Sequence, residues 1–295
     1  MPNAASTSPE AWRNFGTKLP IAAFWMKRDG LKRLYQLINE RQKEYRDKIL
    51  LALTKLPEES DTDFDTRKTR VTNAFVTSVT ITAETGEIIT GNNEDIFHEA
   101  FLPTAIKYVL YSTSSVPNAV LNHLPEDRIV VFLDFSRPPL MDFGRLPTLA
   151  TPNESNLTID SRNESWFAAT KLKLGNFFEE RKTGHDWLHR AAVYDILLFT
   201  VGVPIGLWAS YRINILFPGI NNFGAFLKNS ALVYAFFISL IFFRIMFSYS
   251  RWVFPKIEIE TDSTRTPTRH RILWTAIILS VIGTALYDAA KFLLK

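Results

Sequence analysis

Cysteine is absent from all 295 residues. Its absence removes disulfides, thiolate metal centres and cysteine nucleophiles together, and it fits a reducing compartment. Glycine is sparse at 12 residues. Nowhere does it form the loop of a phosphate-cradling P-loop, a dinucleotide fingerprint, or the elbow around a nucleophilic serine. The amino terminus, MPNAASTSPEAWRNFG, has no basic stretch followed by an apolar one. No cleavable signal peptide is therefore expected.

Excess positive charge is missing where a nucleic-acid binder would carry it. Residues 1–190 hold 24 Lys+Arg against 25 Asp+Glu, whereas residues 191–295 hold 10 against 5. The net charge of +4 thus arises beside apolar stretches rather than on a polar domain, and nucleic acid is not an expected partner.

Long apolar runs are also absent from the first 190 residues and then arrive in succession. Three stretches, about 191–213, 230–250 and 272–292, approach the roughly 20 residues that cross a bilayer. Arg181, Lys182 and Arg190 precede the first, and Arg251, Lys256, Arg265, Arg269 and Arg271 lie between the second and third. The other side has Arg212, Lys228, Lys291 and Lys295. The positive-inside rule then predicts a cytosolic amino-terminal domain and a carboxyl terminus across the membrane. Trp187, Trp252 and Trp274 fall near the inner boundary and Trp208 near the outer one, as interfacial anchors. Gly202, Pro204 and Gly206 mark a kink or a close helix approach in the first span.

The chain before the spans reads as an α+β domain. Residues 1–10 are small and polar, a disordered start, and 11–190 form the cytosolic domain. Ser8-Pro9-Glu10 resembles a helix start. The aromatic, basic segment Trp12–Met26 reads either as a membrane-surface element or as part of the core. Leu31, Tyr35, Ile38, Tyr45, Ile49, Leu53 and Leu56 recur with helical spacing and predict a helix over 31–56. Its stripe suits docking on a sheet or self-association. Pro57–Asp65 reads as an acidic linker. About five mostly antiparallel strands are expected near 74–82, 86–90, 105–112, 128–135 and 156–160, with a proline-bearing excursion, Ser136–Asn153, outside the sheet. A second helix is expected over 165–182, capped by Ser165.

Few residues suggest chemistry. His185 and His189, four apart in HDWLH, are a weak candidate metal pair; they lack a third ligand and the glutamate of the zinc-protease helix. Ionisable residues inside apolar spans are functional candidates by default. Asp195 and Arg244 lie at similar depth and are predicted to pair between the first two spans. Asp288 and Arg212 are charges at the outer boundary.

No catalytic residue or cofactor is assigned. The leading expectation is a non-enzymatic, multi-pass protein of the inner cell membrane that presents an α+β sensing or interaction domain. Its expected partners are the lipid bilayer, a homo-oligomer, and an unidentified protein or small-molecule ligand. The alternative is a pore-forming or membrane-disrupting effector gated by that domain; a membrane enzyme without a recognisable motif is third.

Overall fold

A computed structural model describes residues 14–139, 144–222, 224–260, 270–276 and 279. The described chain divides into two compact units. The first comprises residues to Phe135 together with Glu154–Lys182, and the second Ser136–Asn153 with the chain from Thr183 onward.

The first unit is α+β. Its strands are β1 (Phe15–Pro20), β2 (Phe24–Lys27), β3 (Ser78–Ala83), β4 (Ile88–Gly91), β5 (Ile106–Ser112), β6 (Arg128–Asp134) and β7 (Asn156–Ser161). Its helices are α1 (Arg28–Ala52), α2 (Asp61–Ala74), α3 (Ser115–Leu121) and α4 (Glu164–Glu179). Six strands form one sheet in the order β1-β7-β6-β5-β3-β4, and every adjacent pair is antiparallel.

Side chains alternate across a strand, so the register places one apolar set on one face. Val79 pairs with Tyr111, Tyr111 with Val131 and Val131 with Leu157; Ile81, Val109 and Leu133 form the next row. All are buried. Leu31, Leu34 and Ile38 of α1 and Trp166, Leu174 and Phe177 of α4 are buried as well. Tyr111 Oη donates to the Leu31 carbonyl at 3.0 Å, joining sheet to helix. Burial raises the Tyr111 phenol well above its ordinary pKa, so it stays a neutral donor. Arg41, buried, donates to Thr170 Oγ1 at 3.0 Å and the Trp166 carbonyl at 3.3 Å, tying α1 to α4.

Several sequence expectations need correction. Of the two readings of the Trp12–Met26 segment, the described part fits the core: from Phe15 on it gives β1, which pairs with β7, and then β2, with Ile21, Phe24 and Met26 buried. Its alternating burial has period two, and Pro20 ends the edge strand, where its missing N–H is tolerated. The acidic linker over 57–65 runs into α2 at Asp61. Ser60 caps that helix by accepting from the Asp63 N–H at 3.1 Å, and Ser60-x-x-Asp63 is the overlooked start signal. Ala74 therefore ends α2 rather than opening a strand. Helix α4 is capped by Asn163, which accepts from Trp166 N–H at 2.9 Å, and not by Ser165. The expected helix start at Ser8 lies outside the described residues.

In the second unit, α5 (Val193–Leu197), a π-helical turn (Leu198–Gly202) and α6 (Val203–Leu216) run on continuously, followed by α7 (Ala225–Val253). Two helices, Val193–Ile213 and Ala225–Val253, are long and apolar enough to cross a membrane. They form an antiparallel hairpin. Gly202 lies against Phe243 and Gly206 against Ser239 and Phe236, while Ser210 Oγ donates to the Leu232 carbonyl at 3.1 Å. Small residues every fourth position let the backbones approach. The third expected span, 272–292, falls mostly outside the described residues, as does Asp288.

Candidate functional site

The end of α7 brings together Arg251 and His189, two of the side chains named from the sequence. Arg251, in its last turn, is buried. Its Nε donates to the Leu188 carbonyl at 3.0 Å and its Nη1 to the carbonyls of Pro147 and Leu149 at 3.1 and 3.2 Å; Nη2 reaches the Arg190 carbonyl at 3.4 Å. The guanidinium also stands 4.6 Å from the Phe247 ring centroid. A rigid planar fork can satisfy several carbonyls at once, and the carbonyl end of α7 favours a cation there.

The carbonyls belong to two segments: Ser136–Asn153, which links β6 to β7, and the 3-10 turn Asp186–His189 with its flank. The same linker meets the start of α5. Ala192 N–H donates to the Thr148 carbonyl at 2.8 Å, satisfying one of the orphan donors of a helix start. Ala192 itself holds a left-handed φ of 64°, which costs a non-glycine residue energy that the surrounding bonds must offset. Thr148 Oγ1 donates to Asp195 Oδ1 at 2.9 Å.

Asp195 and Arg244, expected from the sequence to pair, each bond to the segment between β6 and β7. Asp195 is in the first turn of α5, where a carboxylate complements the helix dipole, and it takes the Thr148 hydroxyl. Arg244 Nη2 donates to the Arg145 carbonyl at 3.1 Å. Depth counted from flanking charges carries no information about a loop from far upstream, so Thr148 and Arg145 were not foreseen as partners.

His189 is buried. Its Nε2 lies 2.7 Å from the Phe254 carbonyl and its Nδ1 2.9 Å from Thr151 Oγ1; Thr151 N–H donates back to the His189 carbonyl at 3.0 Å. A carbonyl only accepts, so Nε2 carries the proton and Nδ1 accepts from the hydroxyl. Burial, reinforced by nearby cations, pushes the imidazole down to about 4. His185 Nε2 lies 3.1 Å from the Pro255 carbonyl, and burial lowers its pKa too. The rings are 6.2 Å apart, with each Nε2 committed to a carbonyl. Among the described residues no group of three His, Asp or Glu forms a metal centre.

Beyond α7, the strand β8 (Ile257–Glu260) carries Glu258. This buried carboxylate accepts from Arg271 Nη2 at 2.5 Å and from Arg137 Nη2 at 3.5 Å. The Arg271 Nε–H donates to the Val253 carbonyl at 3.1 Å. Of the tryptophans, Trp187 and Trp208 are exposed, and Trp208 lies 5.3 Å beneath the Arg212 guanidinium. Trp252 stacks on Tyr249, while Trp274 is buried with its ring 5.8 Å from that tyrosine. Sequence reasoning missed Arg251, Thr148, Thr151 and Glu258 as a set; basic position counting had used Arg251 only to orient the membrane.

Comparison with protein-family models, curated proteins and solved structures gives no match to the chain. What the described residues define is an α+β protein whose second unit has two helices long and apolar enough to span a bilayer.

Proposed function

We propose that this protein is a multi-pass membrane protein that holds a non-enzymatic α+β sensing or interaction domain on the cytosolic face, with the helices from Val193 onward as its membrane part. The carrying observation is the Arg251 cluster. The connection between the neighbouring strands β6 and β7 contributes the carbonyls that hold the end of a membrane-length helix. The chain also passes between the two units at three points, after Phe135, Asn153 and Lys182. A rearrangement of β6 and β7 would then reach the base of the helices through covalent chain and a hydrogen-bonded cluster, which is the physical form a coupling claim requires.

Membrane residence is supported by apolar side chains that remain exposed. Phe199, Phe226 and Tyr234 are 72%, 81% and 69% exposed on the two helices. An apolar surface this extended calls for a lipid or protein environment. A third span over 272–292 and the cytosolic placement of the α+β unit follow from the apolar run and the distribution of Lys and Arg.

The cysteine-free chain permits a clean test. Single substitutions Thr66→Cys and Gly219→Cys are probed with a membrane-impermeant maleimide on intact and permeabilised cells. The reading expects Gly219→Cys to label on intact cells and Thr66→Cys only after permeabilisation; the reverse pattern would overturn the sidedness. Coupling is tested with Ser155→Ala, which removes the buried hydroxyl that accepts from Asp134 N–H at 2.7 Å, where β6 leaves and β7 begins. Hydrogen exchange over 145–151 should rise in that variant. Unchanged exchange there would argue against coupling.

A further inference from the structure

Helix α2 is an unusual element of the first unit. Of its 14 residues only Val71 and Ala74 are buried. Short helices draw most of their stability from an apolar face packed on the fold. Here the attachment is largely polar and peripheral: Arg67 binds Glu59 at 2.7 Å and the Thr54 carbonyl at 2.8 Å, Lys55 binds Asp61 at 2.5 Å, and Arg70 donates to the Val120 carbonyl at 2.9 Å. Between α1, α2 and α3 remains a cavity of about 630 Å³, within the range that accepts a small organic ligand.

Its floor and rim differ in chemistry. Tyr45, Ile49, Val71, Phe75 and Leu121 line it with apolar surface, and Tyr45 meets Phe75 edge-on at 5.7 Å. Lys48, Arg67, Arg70 and His123 lie at its edge, with Glu126 as the acid. The acid is already engaged, since Glu126 pairs with Arg162, and Arg67 is neutralised by Glu59. Lys48 and Arg70 have no carboxylate partner among the described residues. The uncompensated charge beside the apolar floor is therefore positive.

We infer that this cavity is a binding site for a small anionic amphiphile, with an apolar or aromatic body against Tyr45, Val71 and Phe75 and a single carboxylate-type head at Lys48 and Arg70. The ligand extends the small apolar cluster of Tyr45, Val71 and Phe75 through which α2 packs, and the two cations recognise its head. A neutral analogue forgoes the head-group interaction, and a cationic one is repelled. The inference does not rest on the membrane reading, and its test reads binding rather than topology.

The experiment is calorimetric titration of the full chain in phosphatidylcholine nanodiscs, with empty nanodiscs subtracted. The probes are 2-naphthoate, 2-naphthylmethanol and 2-naphthylmethylamine. The expected result is one site for 2-naphthoate, about tenfold or more tighter than the alcohol, and no binding of the amine. The doubly substituted Lys48→Glu/Arg70→Glu should lose about tenfold or more in naphthoate affinity. Val71→Trp, which fills the floor, should abolish binding, and Lys68→Glu on the outer face should leave it unchanged. If the charge reversal lowers the thermal midpoint, Lys48→Gln/Arg70→Gln replaces it with the same expected direction. Equal affinity for the alcohol or amine, full affinity in the double variant, or no heat from any probe would each overturn the inference.

Discussion

His189 donates from Nε2 to the carbonyl of Phe254 at 2.7 Å while its Nδ1 accepts from Thr151. Both bonds belong to the neutral ring in one tautomer. The residue fastens the turn before α5 to the end of α7; protonation would keep the Nε2 bond but turn Nδ1 from an acceptor into a donor and place a charge in a buried site.

A pH dependence follows. The folded-state pKa of His189, about 4, lies below the ordinary 6.5, so the unfolded chain takes up a proton first as pH falls. The stability contributed by the neutral ring is fully present above about pH 6.5 and is lost as pH falls towards 4. It amounts to on the order of 3 kcal/mol. In chemical denaturation followed at pH 7 and pH 4, wild type should exceed His189→Gln by a margin that shrinks with acid. A constant margin would show that His189 does not titrate against folding.

Arg251→Lys should behave as a loss, not a conservative change. One ammonium cannot replace a fork that reaches four carbonyls through three nitrogens. Stranded buried acceptors cost about 1–3 kcal/mol each where water cannot enter. Thermal unfolding in detergent should show Arg251→Lys nearer to Arg251→Met than to wild type, with faster hydrogen exchange at residues 147–151.

The helical hairpin makes a steric prediction. A Cβ on Gly206 would meet Ser239 Oγ at 2.9 Å and the Phe236 ring at 3.0 Å, whereas at Gly219 nothing lies within 4 Å. Gly206→Leu should therefore destabilise the hairpin by about 1–3 kcal/mol, and Gly219→Leu should not. Equal unfolding midpoints for the two variants in the same detergent would contradict the close approach of α6 and α7.

Helix α2 should open before the sheet does. Ser60→Ala removes the acceptor for Asp63 N–H, a change worth about 1 kcal/mol. Next to it, Arg67 holds the Glu59 carboxyl below its usual pKa, so acid strips the same corner as Glu59 gains a proton. Exchange over residues 61–74 is expected to rise in Ser60→Ala, with β5 and β6 unchanged. Uniform acceleration across both would mean that α2 is integral to the core.

Periodicity carried much of this architecture. The stripe from Leu31 to Tyr45 announced α1, and the alternating Val, Ile and Leu of β3, β5, β6 and β7 announced a mostly antiparallel sheet, because burial on one side imposes a period of 3.6 or 2 wherever it occurs. Two membrane-length helices were legible for a simpler reason, the length of uninterrupted apolar chain. Short or weakly patterned elements escaped: α2 buries too little to show a stripe, α3 is only seven residues long, and β1 was obscured by aromatic and basic neighbours.

By itself, then, the sequence determined local shape and apolar exposure, since these depend on residues near one another in the chain. Tertiary structure alone decided what the charges touch. Arg251 meets Pro147 and Leu149 across about a hundred residues, Asp195 takes Thr148, and Glu258 takes Arg137. Those partners are backbone carbonyls and loop side chains without periodicity, so only the folded path of the chain could bring them together.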